Sequence, residues 1–156
     1  MSIVLWGGVR WTITLDQSLI QAAAFRGRKT LWAGSAAYDA PNNLIELIGR
    51  LLMEGEGVPR AKKATLVLVG GAVQSRRLHD LPPVRRPALR ALVVHQSNRF
   101  FRMNGHPLVT DARWITARNA ADRHALAVAV DEELVLSVLS GCAAAGLEVG
   151  AAHPNG

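Results

Sequence analysis

The chemistry-bearing residues begin with one carboxylate. In "ITLDQSLIQAAAF", Ile13 to Phe25, an apolar run stops at Asp16, Gln17 and Ser18 follow, and a second apolar run begins. An acid at that place serves a turn, a phosphate site, or the remnant of one. The histidines are His79, His95, His106, His124 and His153; none has another at i+4, and no Cys-x-x-Cys exists, so the expectation is no metal site. No G-x-S-x-G, P-loop or G-x-G-x-x-G is present, and no catalytic residue is assigned. The single cysteine, Cys142, excludes an intrachain disulfide and is expected to be a small buried hydrophobe within a helix.

The charge distribution is the second source of chemistry. Residues 60–118 carry twelve basic and two acidic side chains, whereas 1–59 are balanced and 119–156 are acidic. Arg76, Arg77, Arg85, Arg86 and Arg90 fall within one predicted hairpin and helix, and form the candidate partner-binding face. Readings open for it are an acidic segment of a partner protein, acidic membrane lipids, nucleic acid, or a solvated surface. Few aromatics accompany these arginines and no nucleic-acid module is recognisable, which weighs against nucleic acid.

Elements must position these groups. The chain has 156 residues, 49% of them hydrophobic, enough for a real core. The opening "MSIVLWGGVRW" lacks the features of a signal peptide, and no apolar stretch is long enough to span a membrane, so a cytoplasmic protein is expected. Ile13–Leu15 and Leu19–Phe25 read as strands around the Asp16 turn, and "TLWAGSAAY" as a third. Leu44, Ile45, Leu47, Ile48, Leu51 and Leu52 recur at helical spacing behind Pro41. Thr65 to Val69 has the apolar run of a strand covered on both faces, and Gly70–Gly71 predicts a hairpin into Ala72–Leu78. "LPPVRRPALRALVVHQSNRFF" predicts a long helix that must properly begin near Pro87. Val109–Ala117 and "HALAVAV" read as strands. Asp131 is a predicted N-cap, Glu132 and Glu133 complement the helix dipole, Gly146 stops that helix, and "LEVGAA" closes as a strand.

The resulting order is βββα followed by ββαββαβ. It predicts an α/β (α+β) protein of two small subdomains, 1–63 and 64–156. Leu66, Val67, Val69, Leu92, Val93, Ala127, Val128, Val135 and Val138 are expected to share one core in the second.

Three stretches together resemble a known family. "LDQSLIQAA" looks like the opening motif of actin-like ATPases, in which a strand ends in Asp-x-Gly before a second strand. "TLVLVGGAVQSRRLHDLPPV", with the helix ending in "RFF", resembles the segment where the FtsA/PilM branch inserts its own subdomain. "HALAVAVDEELVLSVLSGCAAAGLEV" is similar to a later PilM-type segment. The resemblance is to the PilM/GspL-like branch of the actin-like fold and covers most of 10–152.

It implies a truncated actin/ribonuclease H-like N-terminal subdomain (1–63) and an inserted PilM-type subdomain (64–156). It also implies a non-catalytic cytoplasmic scaffold in type IV pilus or type II secretion assembly, peripheral at the inner membrane. An assembly-platform protein or its cytoplasmic peptide would be the partner, with homo-oligomerisation and contact with acidic lipids as further expectations. The family continues past residue 152 into a second lobe, so the chain is expected to be a fragment or a reduction.

The departures bear on nucleotide. Ser18 stands where the family has the Gly that lets backbone N–H groups approach a phosphate, and the family's later Lys has no counterpart in "LIQAA". Asp16 and Ser18 are the candidate nucleotide remnant. No cofactor is expected, with ATP and Mg as the alternative in an actin-like ATPase completed by a second lobe or chain. A nucleic-acid-binding module using 60–118 is the further alternative. In the ribonuclease H relative of the fold, acids on the first strand, first helix and fourth strand hold metal ions. Asp16 and Glu46 match two regions, but "ATLVLVGG" carries no acid, and Glu46 is expected on a solvated helix face.

Overall fold

The computed structural model describes residues 8–59, 63–115 and 123–154. Expectations for the first seven residues, the centre of the linker and the end of the sixth strand at 116–117 lie outside them.

The first three strands are β1 (Val9–Leu15), β2 (Leu19–Arg26) and β3 (Lys29–Ala37), joined as an antiparallel meander. Alternation fixes their buried face: Trp11, Ile13 and Leu15 on β1 and Ile20, Ala22 and Ala24 on β2 point one way. Thr12, Thr14, Gln21 and Ala23 lie on the other. A turn of 3₁₀ helix at Pro41–Asn43 leads into α1 (Leu44–Glu54), which presents Leu44, Ile48, Leu51 and Leu52 to the sheet. β4 (Lys63–Leu68) then runs parallel to β1, burying Ala64, Leu66 and Leu68 on the same side.

The chain leaves this sheet after β4. A single 3₁₀ turn, Gly70–Ala72, turns it into β5 (Gln74–Leu78). α2 (Arg86–His95) and the short α3 (Ser97–Phe100) follow, then β6 (Leu108–Ile115) and β7 (His124–Asp131). β5, β7 and β6 make a separate antiparallel sheet with β7 central. Leu89 and Val93 of α2 pack on Ala112, Ala125, Ala127 and Ala129, a floor of small side chains that lets the helix lie close. The Trp114 indole N–H donates to the carbonyl of Val84 at 2.9 Å, tying the approach to α2 onto β6.

The chain then returns. α4 (Glu132–Ala144) is capped by Asp131, whose carboxylate accepts from the Glu133 N–H at 2.9 Å, and packs against α1. Gly146, at φ +80°, ends it, and β8 (Glu148–Pro154) pairs parallel with β4. The larger sheet therefore has the order β3-β2-β1-β4-β8.

The mixed α/β class and the order of elements are as the sequence predicts. The boundary at 63/64 is not: β4, α4 and β8 complete the first sheet, and only the excursion from Gly70 to Asp131 makes the smaller unit. The nine-residue core divides accordingly. Leu66 and Val138 are buried with the larger sheet and Val135 packs on it, whereas Val93 and Ala127 belong to the smaller core with Leu92 against it. Val67, Val69 and Val128 are half-buried outside both cores. Gly70–Gly71 is no hairpin, because β4 and β5 lie in different sheets. The long helix is also shorter: Pro82 and Pro83 precede it, it begins at Arg86 with Pro87 in its first turn, and it breaks at Gln96.

Cys142 is fully buried where α4 meets the larger core, and burial raises its thiol pKa to about 11 from 9.0. The folded thiol holds its proton where the unfolded one loses it. Its contribution to stability is whole below pH 9 and falls as pH rises toward 11. Cys142→Ala should flatten that part of the denaturation profile, measured as urea midpoints between pH 8 and 11, at some cost in packing.

Candidate functional site

The Asp16 turn ends β1. Its backbone N–H donates to the Leu19 carbonyl at 2.9 Å, closing the turn into β2. The Val69 N–H donates to the Leu15 carbonyl at 2.9 Å and carries the β1–β4 pairing to the same level. The Asp16 turn and the Gly70–Gly71 turn therefore face each other at the carboxyl ends of two parallel neighbours. Asp16 Oδ1 accepts from its neighbour Gln17 N–H at 2.7 Å and from Gly71 N–H at 3.1 Å. Its carboxylate thus joins the first turn to the exit toward the smaller sheet.

Of the two glycines, Gly70 is the one this contact requires. Gly70 sits at φ +55°, and a Cβ there would lie 2.4 Å from Asp16 Oδ1. A Cβ at Gly71 would lie 2.4 Å from Gln17 Oε1. Tyr38, after β3, completes the arrangement: its hydroxyl donates to the Asp16 carbonyl, and its N–H donates to the Ser18 carbonyl at 3.0 Å. Burial, and secondarily the Asp16 charge, raise the Tyr38 pKa, so the hydroxyl remains a donor through the neutral range. Ser18 itself is exposed.

Between the two units lies a cleft of about 230 Å³. Gln17, Tyr38 and Asp39 line it from the larger unit, and Asn104, His106 and Asp131 from the smaller unit and its return. Glu132 N–H donates to the Pro107 carbonyl at 3.0 Å, and His106 Nδ1 stands 3.8 Å from Glu133 Oε2, so the start of α4 holds the loop before β6. The lining has two acids and neither lysine nor arginine. Among the described residues no group of three or more His, Cys, Asp or Glu could hold a metal ion. Glu46, the second candidate acid, is exposed on α1, as a solvated helix residue would be.

The five candidate arginines do not share a face. Arg76 and Arg77 are consecutive on β5 and point to opposite sides of the sheet. Arg85 is exposed at the N-cap of α2. Arg86 and Arg90 do lie one turn apart, but Asp111 of β6 already sits between them, 3.7 Å from Arg86 Nη2 and 2.7 Å from Arg90 Nε. Both arginines stay more than half exposed beside this internal acid. Sequence pattern also missed Tyr38 and His106. The glycine pair was visible as a turn, but nothing local indicated that it would meet Asp16.

No family model matches the chain, and no curated protein is similar to it in sequence. Solved structures are similar. A chain of the "PilM-PilN type IV pilus biogenesis complex" superposes with a TM-score of 0.65 at 18% identity, over 90% of this chain and 46% of that one. The cytoplasmic domain of EpsL, an inner membrane component of the type II secretion system of Vibrio cholerae, superposes with 0.59 at 14% identity, over 93% of this chain and 57% of that one. This chain shares their fold. It spans about half the length of each. A Bacteroides thetaiotaomicron protein with an actin-like ATPase fold and unknown function aligns at 0.48 and 8% identity, over 97% of this chain and 55% of that one. Among the described residues, no helix is long and apolar enough to cross a membrane.

The staple formed by Asp16 is directly testable. Asp16→Ala removes the acceptor for Gly71 N–H and should cost about 1 kcal/mol, whereas Asp16→Asn keeps an oxygen at Oδ1 and should cost less. Urea midpoints of the two variants against the parent protein measure the difference.

Proposed function

We propose that this chain is a non-catalytic adaptor on the cytoplasmic side of a type IV pilus or type II secretion-like assembly. Its role would be to receive a segment of a partner protein in the cleft between its two units. The observation that carries this reading is the state of Asp16. Its carboxylate is engaged by Gln17 and Gly71 N–H groups, and those two residues line a cleft that has neither lysine nor arginine to meet a phosphate. The cleft volume of about 230 Å³ lies below the range of about 300–1,000 Å³ that encloses small-molecule ligands. It suits one or two side chains of a docked peptide. The complex above pairs a chain of this fold with PilN, so a PilN-like cytoplasmic peptide is the first partner to test.

The expected result is saturable binding of that peptide by fluorescence anisotropy, weakened about tenfold or more by Asn104→Trp, which fills the cleft from an exposed loop. The melting temperature of that variant should be unchanged. Mg-ATP should leave the melting temperature of the parent chain unchanged as well. A rise with Mg-ATP that Asp16→Ala abolishes would favour the second reading, an actin-like ATPase portion completed by another lobe. Peptide binding indifferent to Asn104→Trp would move the interface elsewhere.

A further inference from the structure

We infer that the outer face of the three-stranded sheet is a second docking surface, built to receive an acidic amphipathic helix of a partner protein. The inference does not rest on the cleft. It rests on the register of β5, β7 and β6, which sets side chains on the face opposite α2 in rows. One row is Ser75–Val128–Asp111 and the next is Arg77–Leu126–Arg113. Beyond them His79 and His124 lie with ring centroids 5.4 Å apart, beside Ile115.

Val128 and Leu126 form an apolar ridge along the central strand. Neither belongs to nor packs against either hydrophobic core, and Ile115 is likewise outside both. Each is half-buried, and since Val130, next on the same face of β7, is buried in the larger core, the part of the face left outside both cores runs from Val128 to Ile115. Leu126 has an arginine directly across from it on each side, at the cross-strand separation of about 5 Å. Both arginines are exposed, and neither has an ion pair among the described residues. The one acid on these rows, Asp111, lies on the edge strand β6 and meets Arg86 and Arg90 of α2 around that edge. The face is therefore an apolar ridge with unneutralised cations on both flanks.

Dimensions and charge select the occupant. The flanking strands are two strand spacings apart, about 10 Å, which matches the diameter of one α-helix with its side chains. A helix along β7 would set an i, i+3, i+4 apolar stripe on Val128 and Leu126, and acids on either side would meet Arg77 and Arg113. A membrane surface suits this face less, because Leu126 lies between arginines and does not project beyond them. Single-stranded nucleic acid would need stacking rings, and Trp114 lies on the opposite side of the sheet, with Arg123 over its ring at 4.1 Å.

The test is selection of helical peptides displayed on phage against the whole chain, followed by anisotropy with the recovered peptides. The expected peptides carry an apolar stripe flanked by Asp or Glu. They should lose about tenfold or more in affinity for Arg77→Glu/Arg113→Glu, lose less for Arg77→Gln/Arg113→Gln, and bind Asn104→Trp as they bind the parent. Raising salt from 50 to 500 mM should weaken them. Recovered peptides without acids, or binding indifferent to both double variants, would overturn the proposal. So would arginine-dependent binding to phosphatidylserine vesicles or single-stranded DNA with no peptide recovered, which would assign the face to a membrane or a nucleic acid. Loss only with Asn104→Trp would assign the peptides to the cleft.

Discussion

Leu66→Ala is expected to lower the stability of the chain by about 2–5 kcal/mol, and Leu89→Ala by a similar amount, with the losses falling in different places. Both side chains are fully buried. Leu66 lies in the middle of β4, between β1 and β8, and its removal leaves a cavity under α1 and α4. Leu89 is on α2 against the alanine floor of the smaller sheet. Native-state hydrogen exchange separates the two: Leu89→Ala should speed exchange in β5 and β7 while sparing β1 and β4, and Leu66→Ala should do the converse. Equal acceleration in both sheets from either variant would mean that the cores open as one unit.

Gly141→Leu should destabilise by about 3 kcal/mol, at the upper end of the overpacking range. Gly141 is where α4 crosses α1. A Cβ there would lie 2.9 Å from Ile48 Cδ1 and 3.2 Å from the backbone Cα of Ile45. The side chain can turn aside; the backbone cannot without moving the helix. The two helices cover one face of the larger sheet, so separating them admits water to its core. Gly141→Ala also meets these atoms but gains up to about 1 kcal/mol in helix propensity, and should sit well above the leucine variant. Thermal melts suffice to check this, since 3 kcal/mol corresponds to roughly 6–12 °C in a chain of this size.

Local signals carried the element order. Asp131, Glu132 and Glu133 mark the start of α4 and Gly146 its end, because capping and dipole effects act within one turn. Pro87 marked the true start of α2. Sheet membership was not legible. Alternation says that Leu66 and Leu68 are buried but not which strands flank them, and a glycine pair permits a hairpin and a crossing between sheets equally well. The site shows the same limit. Asp16 was readable as a turn former, as its bond to Gln17 N–H bears out, but its bond to Gly71 N–H spans 55 residues. The arginine cluster looked like one basic face because charge was counted along the chain. Strand alternation divides Arg76 from Arg77, and Asp111 occupies Arg86 and Arg90.

The excursion from Gly70 to Asp131 starts and finishes at one place, since Gly71 and Asp131 line the same cleft. To the larger sheet, the whole smaller unit is therefore a long loop between β4 and α4. Loop closure grows only with the logarithm of length, about 0.6 kcal/mol per doubling. The smaller unit moreover has its own core, which restricts its chain without help from the sheet that hosts it. A unit of different size, or with a different outer face, could thus be spliced between Val69 and Glu132 at little cost to β1, β4 and β8. The smaller unit can therefore differ in size and in its outer face while the packing of the larger sheet beneath it is kept.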